Sequence, residues 1–224
     1  MYRFFVEKKI DNKFELSNEI LNHLKVLRIG SNEKFYCIYD GEVYLCHREG
    51  SHAIIEIKTE INNEYANDIT LFASIINIKR FEWLIQKATE LGVNNFYPMI
   101  TKNTNIKFIE QLKKKKERFI EISKNASEQS FRNKLTIIHD PINFEEAVNY
   151  NIENKYIAHE KKEELDDQNL LFKSPIAFYV GPEGGFDENE INKAINSGLK
   201  IISLGKRILR SETSSIYLLS RIQK

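Results

Sequence analysis

A chain of 224 residues suits one large or two small domains and can bury a substantial core. With 42% apolar and 29% charged residues it has the make-up of a soluble globular protein, which argues against disorder, and no apolar run approaches the roughly 20 residues of a membrane span. The formal net charge of +1 does not mark a nucleic-acid binder, and residues 1–69 carry nine basic against twelve acidic side chains, so any hold of that region on phosphates has to come from local patches.

The start, Met1 to Glu7, meets charge at once and lacks the apolar core of a signal peptide, so a cytoplasmic protein is expected. The first seventy residues read mainly as β. Arg3 to Val6 is a short strand. Ser17 is placed to cap a helix whose apolar positions Ile20, Leu21, Leu24 and Leu27 share one face, with Gly30 closing it. Lys34 to Tyr39 and Glu42 to Arg48 flank Asp40-Gly41, the favoured type I′ hairpin turn, and Ala53 to Thr59 adds a strand. Short strands with tight turns predict a small barrel-like domain over residues 1–69. Cys37 and Cys46 sit in strand-like runs and read as buried apolar side chains. Neither they nor the five scattered histidines have metal-ligand spacing, so no metal is expected.

After Asn67-Asp68 the period changes, and residues 70–224 read as a second domain. Ile69 to Ile76 is a strand, and Phe81, Leu84, Ile85, Ala88 and Leu91 mark a helical face ended by Gly92. Strand-like runs recur at Asn95–Met99, Lys134–Ile138, Lys155–His159, Ile176–Val180 and Lys200–Ser203. Helical patterns lie between most of them, the longest around Phe108 to Gln129. This alternation predicts a largely parallel sheet covered on both faces. Asp187 and Glu190 have capping-box spacing, with Gly198 at the end of that helix, and Lys161 to Gln168 reads as a charged surface connection. Residues 102–134 hold ten basic against four acidic side chains, including Lys113 to Lys116. Such a run serves either as a solvated helix face or as a phosphate-contacting one.

Two glycine-rich segments carry most of the functional information. Gly181-Pro182-Glu183-Gly184-Gly185-Phe186 follows the run Ile176 to Val180, and Leu204-Gly205-Lys206-Arg207-Ile208-Leu209-Arg210-Ser211-Glu212-Thr213 follows Lys200 to Ser203. A strand that breaks into glycines lets bare backbone approach a ligand, and two such breaks in adjacent units point to one shared pocket. Each glycine taken alone is also an ordinary turn residue. The absence of a Walker lysine-serine pair and of an acidic metal cluster counts against a nucleotide or phosphate handler.

These two motifs resemble the AdoMet-binding region of SPOUT-class RNA methyltransferases, and their wording is closest to the 16S ribosomal RNA uracil-N3 methyltransferase (RsmE) family. His23-Leu24-Lys25-Val26-Leu27-Arg28, Tyr39-Asp40-Gly41, Lys87-Ala88-Thr89-Glu90-Leu91-Gly92-Val93 and Ala126-Ser127-Glu128-Gln129-Ser130-Phe131-Arg132 are similar to further signatures of that family, so the resemblance runs from end to end. The chain departs from the family at Lys102-Asn103, where a Glu-Arg pair is usual, and at Asn125, where a glutamate is usual; both bear on a presumed RNA or substrate surface. Ser211 replaces the usual threonine and keeps the hydroxyl.

The resemblance implies a small PUA-like β-barrel RNA-binding domain followed by a knotted α/β methyltransferase domain. It also implies a homodimer with the pocket beside the dimer interface, S-adenosyl-L-methionine as methyl donor, and 16S ribosomal RNA or the assembled small subunit as partner. Val180, Gly181, Pro182, Glu183, Gly184, Gly185, Leu204, Gly205, Arg207, Ile208 and Leu209 would then hold the cofactor, with Leu204, Ile208 and Leu209 walling the adenine. Arg210 is the first candidate for catalysis, stabilising the oxygen charge that grows as uracil N3 loses its proton, or holding the phosphate. Glu212 would accept that proton or fix Arg210 by a bidentate pair. It also reads as a glutamate of a first helical turn behind an N-cap Ser211. Arg3, Arg28, Glu128, Gln129 and Arg132 are the RNA-binding candidates, each also readable as ordinary surface or helix-end chemistry. A non-catalytic RNA-binding dimer, or a methyltransferase of the same class acting on another RNA site, is the alternative reading.

Overall fold

The computed structural model describes residues 1–31, 33–159 and 171–223; the charged stretch Lys161 to Gln168 lies outside them. The chain divides into two compact units, one formed by residues 1–64 together with 127–135, the other by residues 65–126 together with the chain from 136 onward.

The first unit contains β1 (Arg3–Phe5), β2 (Lys9–Ile10), β3 (Lys13–Glu15), α1 (Asn18–Val26), β4 (Lys34–Tyr39), β5 (Glu42–Glu49) and β6 (His52–Lys58). They make one curled sheet of order β1-β4-β5-β6-β3-β2, antiparallel except for β1 beside β4. Asp40 and Gly41 both take positive φ (51° and 77°), the geometry that a two-residue type I′ turn requires to match strand twist. The β2–β3 hairpin, which turns at Asp11-Asn12, was not predicted; its strands are too short to show a period. Phe4, Phe14, Phe35, Leu24, Cys37 and Cys46 form the core. The two cysteines are free, and the Cys37 thiol is pushed far up by its hydrogen bond with Cys46 and by burial, which leaves it inert.

Helix α1 starts as expected, with the Ser17 hydroxyl accepting from the Ile20 N–H at 3.3 Å. Its end corrects the reading of Gly30. The left-handed residue is Arg28 (φ 57°), with Arg28 N–H donating to Lys25 O and Ile29 N–H to Leu24 O, both at 3.0 Å. This is the paired hydrogen-bond pattern of a Schellman ending, with arginine at the position glycine usually fills.

The second unit contains β7 (Ile69–Ser74), α2 (Ile78–Glu90), β8 (Asn95–Ile100), α3 (Ile106–Lys113), α4 (Lys116–Gln129, its last residues belonging to the first unit), β9 (Ile137–Ile138), β10 (Ile142–Asn143), α5 (Phe144–Val148), β11 (Lys155–Ala158), β12 (Ile176–Val180), α6 (Glu188–Asn196), β13 (Lys200–Ile202) and α7 (Ser211–Leu219). The sheet is parallel, ordered β10-β8-β7-β12-β11-β13, with β9 also beside β8. Its strands alternate between two cores. Ile69, Leu71, Ala73, Ile176, Phe178 and Val180 join α2 and α7 on one face, while Phe72, Ala177 and Tyr179 join α5 and α6 on the other. Strands buried on both sides explain the near-continuous apolar runs in the sequence.

Two expectations are corrected here. The long helix is two helices broken at Lys114-Lys115, inside the run of four lysines, where like charges along one helix repel. Leu112 and Phe119 anchor the two sides of the break in the core, and all four lysines are exposed, Lys116 pairing with Asp140 at 2.6 Å. The strand at Lys134–Ile138 shortens to its last two residues, because Lys134 donates its N–H to Glu64 in the first unit.

Candidate active site

Strands β12, β11 and β13 are neighbours and run in the same direction, so their carboxyl ends open on one edge of the sheet. In open parallel sheets ligands bind in crevices outside the carboxyl ends of the strands. A cavity of about 270 Å³ lies here. Val180, Gly181, Pro182, Glu183, Gly184 and Gly185 line one side, and Leu204, Gly205, Arg207, Ile208, Leu209 and Arg210 another. Ala158 and His159 from the end of β11, with Phe186, Ser211 and Ser214, complete the lining. Nothing in the sequence singled out Ala158 or His159, because only the strand order brings β11 between the two glycine segments.

The first glycine loop is turned by a hydrogen bond from Gly185 N–H to Pro182 O (2.9 Å) and held from outside by Asn103, whose Nδ2 donates to Gly184 O and Gly185 O, both at 3.1 Å. A Cβ on Gly184 would come within 3.2 Å of Asn103 Cβ, so the glycine is what allows this support. Next to it, the Lys102 N–H donates to Glu190 Oε1 (2.8 Å) and Lys102 Nζ pairs with Asp187 Oδ2 (2.6 Å). The expected capping box between Asp187 and Glu190 is present. The departures Lys102-Asn103 therefore buttress the glycine loop and the start of α6. In the second segment Gly205 takes φ +95°, where side chains are strained, and among the described residues beyond its chain neighbours no atom lies within 4 Å of the position its Cβ would occupy.

The start of α7 differs from the sequence reading. Arg210 is the N-cap residue, without a side-chain capping bond, and Ser211 is already the first helical residue. Ser211 Oγ is buried in the cavity wall, the residue 5% exposed, and has no hydrogen-bond partner among the described residues. Glu212 makes its bidentate pair with Arg80 of α2, at 2.9 and 2.5 Å, and not with Arg210. Arg80 also reaches Glu183 Oε1 at 2.6 Å. Burial pushes the Glu212 carboxyl up, but the Arg80 pair, its own backbone N–H and the charge of Arg210 outweigh this and hold it below the usual range. The side chains of Arg207 and Arg210 are exposed and make no hydrogen bond or ion pair among the described residues. Also among the described residues, no group of three or more His, Cys, Asp or Glu side chains is placed to hold a metal ion, and no helix is long and apolar enough to cross a membrane.

The RNA-binding candidates of the first unit separate into two groups. Arg3 is buried, lies over the Phe131 ring (4.3 Å to its centroid) and donates to Phe131 O at 2.9 Å; Glu128 accepts from Phe5 N–H at 3.2 Å. Arg132 and Glu64 form an ion pair at 2.6 Å with side chains 5% and 7% exposed, and Glu64 also accepts from the Asn133 and Lys134 N–H groups. These three candidates hold segment 127–135 to residues 1–64. Arg28 and Gln129 are exposed.

Fold and site together define an α/β protein with a glycine-rimmed ligand cavity at the carboxyl edge of a parallel sheet. A family model described as an RNA methyltransferase domain matches residues 63–223. Ribosomal RNA small subunit methyltransferase E of Mesomycoplasma hyopneumoniae is 41% identical over 235 residues, covering 100% of both chains, and that of Bacillus subtilis is 28% identical, covering 99% of this chain and 96% of its own. Among solved structures, ribosomal RNA small subunit methyltransferase E from Neisseria gonorrhoeae, bound to S-adenosyl methionine, is 30% identical with a TM-score of 0.86, covering 98% of this chain and 95% of its own. A putative methyltransferase from Legionella pneumophila, also with bound cofactor SAM, is 28% identical with a TM-score of 0.80 and the same coverage. The chain belongs to the ribosomal RNA small subunit methyltransferase E family.

Proposed function

We propose that this protein transfers the methyl group of S-adenosyl-L-methionine to N3 of a uridine in 16S ribosomal RNA, free or assembled in the small subunit. The observation that carries the reading is the convergence of both glycine segments on one cavity whose wall includes Arg210, unpaired among the described residues. The residues fit the cofactor. Backbone is left bare at Gly185 and Gly205, Leu204, Ile208 and Leu209 offer an apolar surface for an adenine, and the Ser211 hydroxyl, unpartnered among the described residues, is open to a polar ligand atom.

When bound, the cofactor supplies an electrophilic methyl group on a good leaving group, so the protein's work is alignment and electrostatics. Arg210 stabilises the charge growing on a uracil oxygen as N3 gives up its proton to solvent water, and the N3–methyl bond forms as the methyl–sulfur bond of the donor breaks. Glu212, with both oxygens engaged and its proton affinity lowered, stays ionised and orients the start of α7 beside Arg210. Arg28 and Gln129 contact RNA, while Arg3, Glu128 and Arg132 shape that surface from within. The protein works in the cytoplasm as a homodimer, a reading supported by the family resemblance and by Ile208, an apolar residue 82% exposed beside the cavity.

Calorimetry with AdoMet and ATP tests this reading against a non-catalytic RNA-binding dimer. Micromolar-range binding of AdoMet but not ATP is expected; a folded protein that gives no heat with AdoMet contradicts it.

A further inference from the structure

Arg80 lies on α2, outside both glycine segments, yet its guanidinium joins them. Nε and Nη2 take the two oxygens of Glu212 at the start of α7, and Nη1 takes Glu183 of the first glycine loop. Glu183 lines the cavity, and Glu212 follows directly on the cavity-lining Ser211. We propose that Arg80 is a positioning residue that clamps the loop carrying Glu183 to the first turn of α7 and so fixes the spacing of the cavity walls. Its consequence for catalysis rests on the methyltransferase reading; the clamp itself does not.

Two features favour a positioning role over a bystander ion pair. The planar fork of arginine can serve two carboxylates from separate elements at once, whereas a lysine ammonium is a single point of charge. The clamp also controls which cation Glu212 holds. Among the described residues, the charged groups facing Glu212 are Arg80 from α2 and Arg210 from its own helix start, with Glu183 linked to it through Arg80. With Arg80 in place, Arg210 stays free for substrate. Without it, a largely buried carboxylate is left with Arg210, two residues away at the start of the same helix, as the other cation whose charge acts on it, and buried charge seeks a partner. Loss of Arg80 therefore both loosens the walls and withdraws Arg210.

The test uses the full chain with Arg80→Gln, Arg80→Lys and the double variant Arg80→Gln/Glu212→Gln. Amide hydrogen exchange, AdoMet calorimetry and steady-state methyl transfer to small subunits are measured on each. In Arg80→Gln, exchange should quicken together in residues 181–186 and in the first turn of α7, while α6 is unchanged. AdoMet affinity should fall about ten-fold, and kcat on the order of 10²-fold, the scale of a small misplacement, with the KM for the subunit unaltered. Arg80→Lys should recover part of both losses. The double variant should recover part of kcat but none of the AdoMet affinity, since Arg210 is released while the walls remain loose. Unchanged exchange in both segments with wild-type affinity would overturn the clamp. A double variant no faster than Arg80→Gln would overturn the competition for Arg210. If the wild-type protein binds no AdoMet, the functional reading falls, and the exchange data alone still decide the clamp.

Discussion

Replacing Gly205 by alanine separates two costs that a glycine substitution usually mixes. Gly205 holds φ +95°, and among the described residues beyond its chain neighbours a Cβ there meets no atom within 4 Å. Gly41 in the first-unit hairpin has φ +77° and equally open surroundings, which makes it a matched control. Each alanine incurs about 1–2 kcal/mol of left-handed strain, offset by roughly 0.4–1 kcal/mol from a less flexible unfolded chain. The net is about 1 kcal/mol, a drop in Tm of roughly 2–4 °C for a chain of this size. Only Gly205 lines the cavity. A methyl group intruding on a bound ligand costs about 1–3 kcal/mol by overpacking, equivalent to roughly a five- to 150-fold loss of affinity. Thermal unfolding and AdoMet calorimetry on both variants check this. The expected result is equal destabilisation with affinity lost only in Gly205→Ala. Wild-type AdoMet affinity in a folded Gly205→Ala protein would place Gly205 away from the bound cofactor.

Three further outcomes follow from the same geometry. Arg210→Ala should leave AdoMet affinity intact and lower the methylation rate by on the order of 10²–10³, as when one preorganised donor is removed; a loss confined to AdoMet binding would assign the residue to the cofactor. Arg28→Gly should raise stability by about 1 kcal/mol by relieving left-handed strain and weaken binding to small-subunit RNA, read by urea unfolding and a salt-controlled binding assay; unaltered RNA affinity would remove Arg28 from the interface. Glu64→Gln tests the acid limb of stability. Burial raises the Glu64 carboxyl, but the Arg132 pair and the Asn133 and Lys134 N–H groups hold it below its usual range. Its stabilising contribution is therefore present above the unfolded value of about 4 and lost as pH falls through the lower folded value. The substitution should cost about 3 kcal/mol at neutral pH and flatten the fall of Tm below pH 4; an unchanged acid slope would contradict it.

What the sequence made legible was local. The Asp40-Gly41 turn, the Asp187–Glu190 capping box and the doubly buried strands are each decided within a few residues, by turn geometry, helix-end hydrogen bonds and apolar runs. The convergence of the glycine segments was inferable because both breaks follow strands of one parallel sheet. Contacts between distant segments were not legible. Arg80 and Glu212 are 132 residues apart, and their pairing depends on α2 and α7 sharing one face of the sheet. The return of segment 127–135 to the first unit depends on Glu64 and Arg132, which read locally as ordinary charged residues. Arg28 displaced the obvious Gly30 as the left-handed residue because the hydrogen bonds to Leu24 and Lys25, not composition, set where α1 ends.

The most direct test of the central claim is to incubate the protein with methyl-labelled AdoMet and small ribosomal subunits from cells lacking the corresponding enzyme, then digest the RNA and identify the labelled nucleoside by chromatography and mass spectrometry. Label is expected in N3-methyluridine at one position of 16S RNA, with none transferred by Arg210→Ala on the same timescale. Label in another methylated nucleoside, or in none while AdoMet is bound, would contradict it.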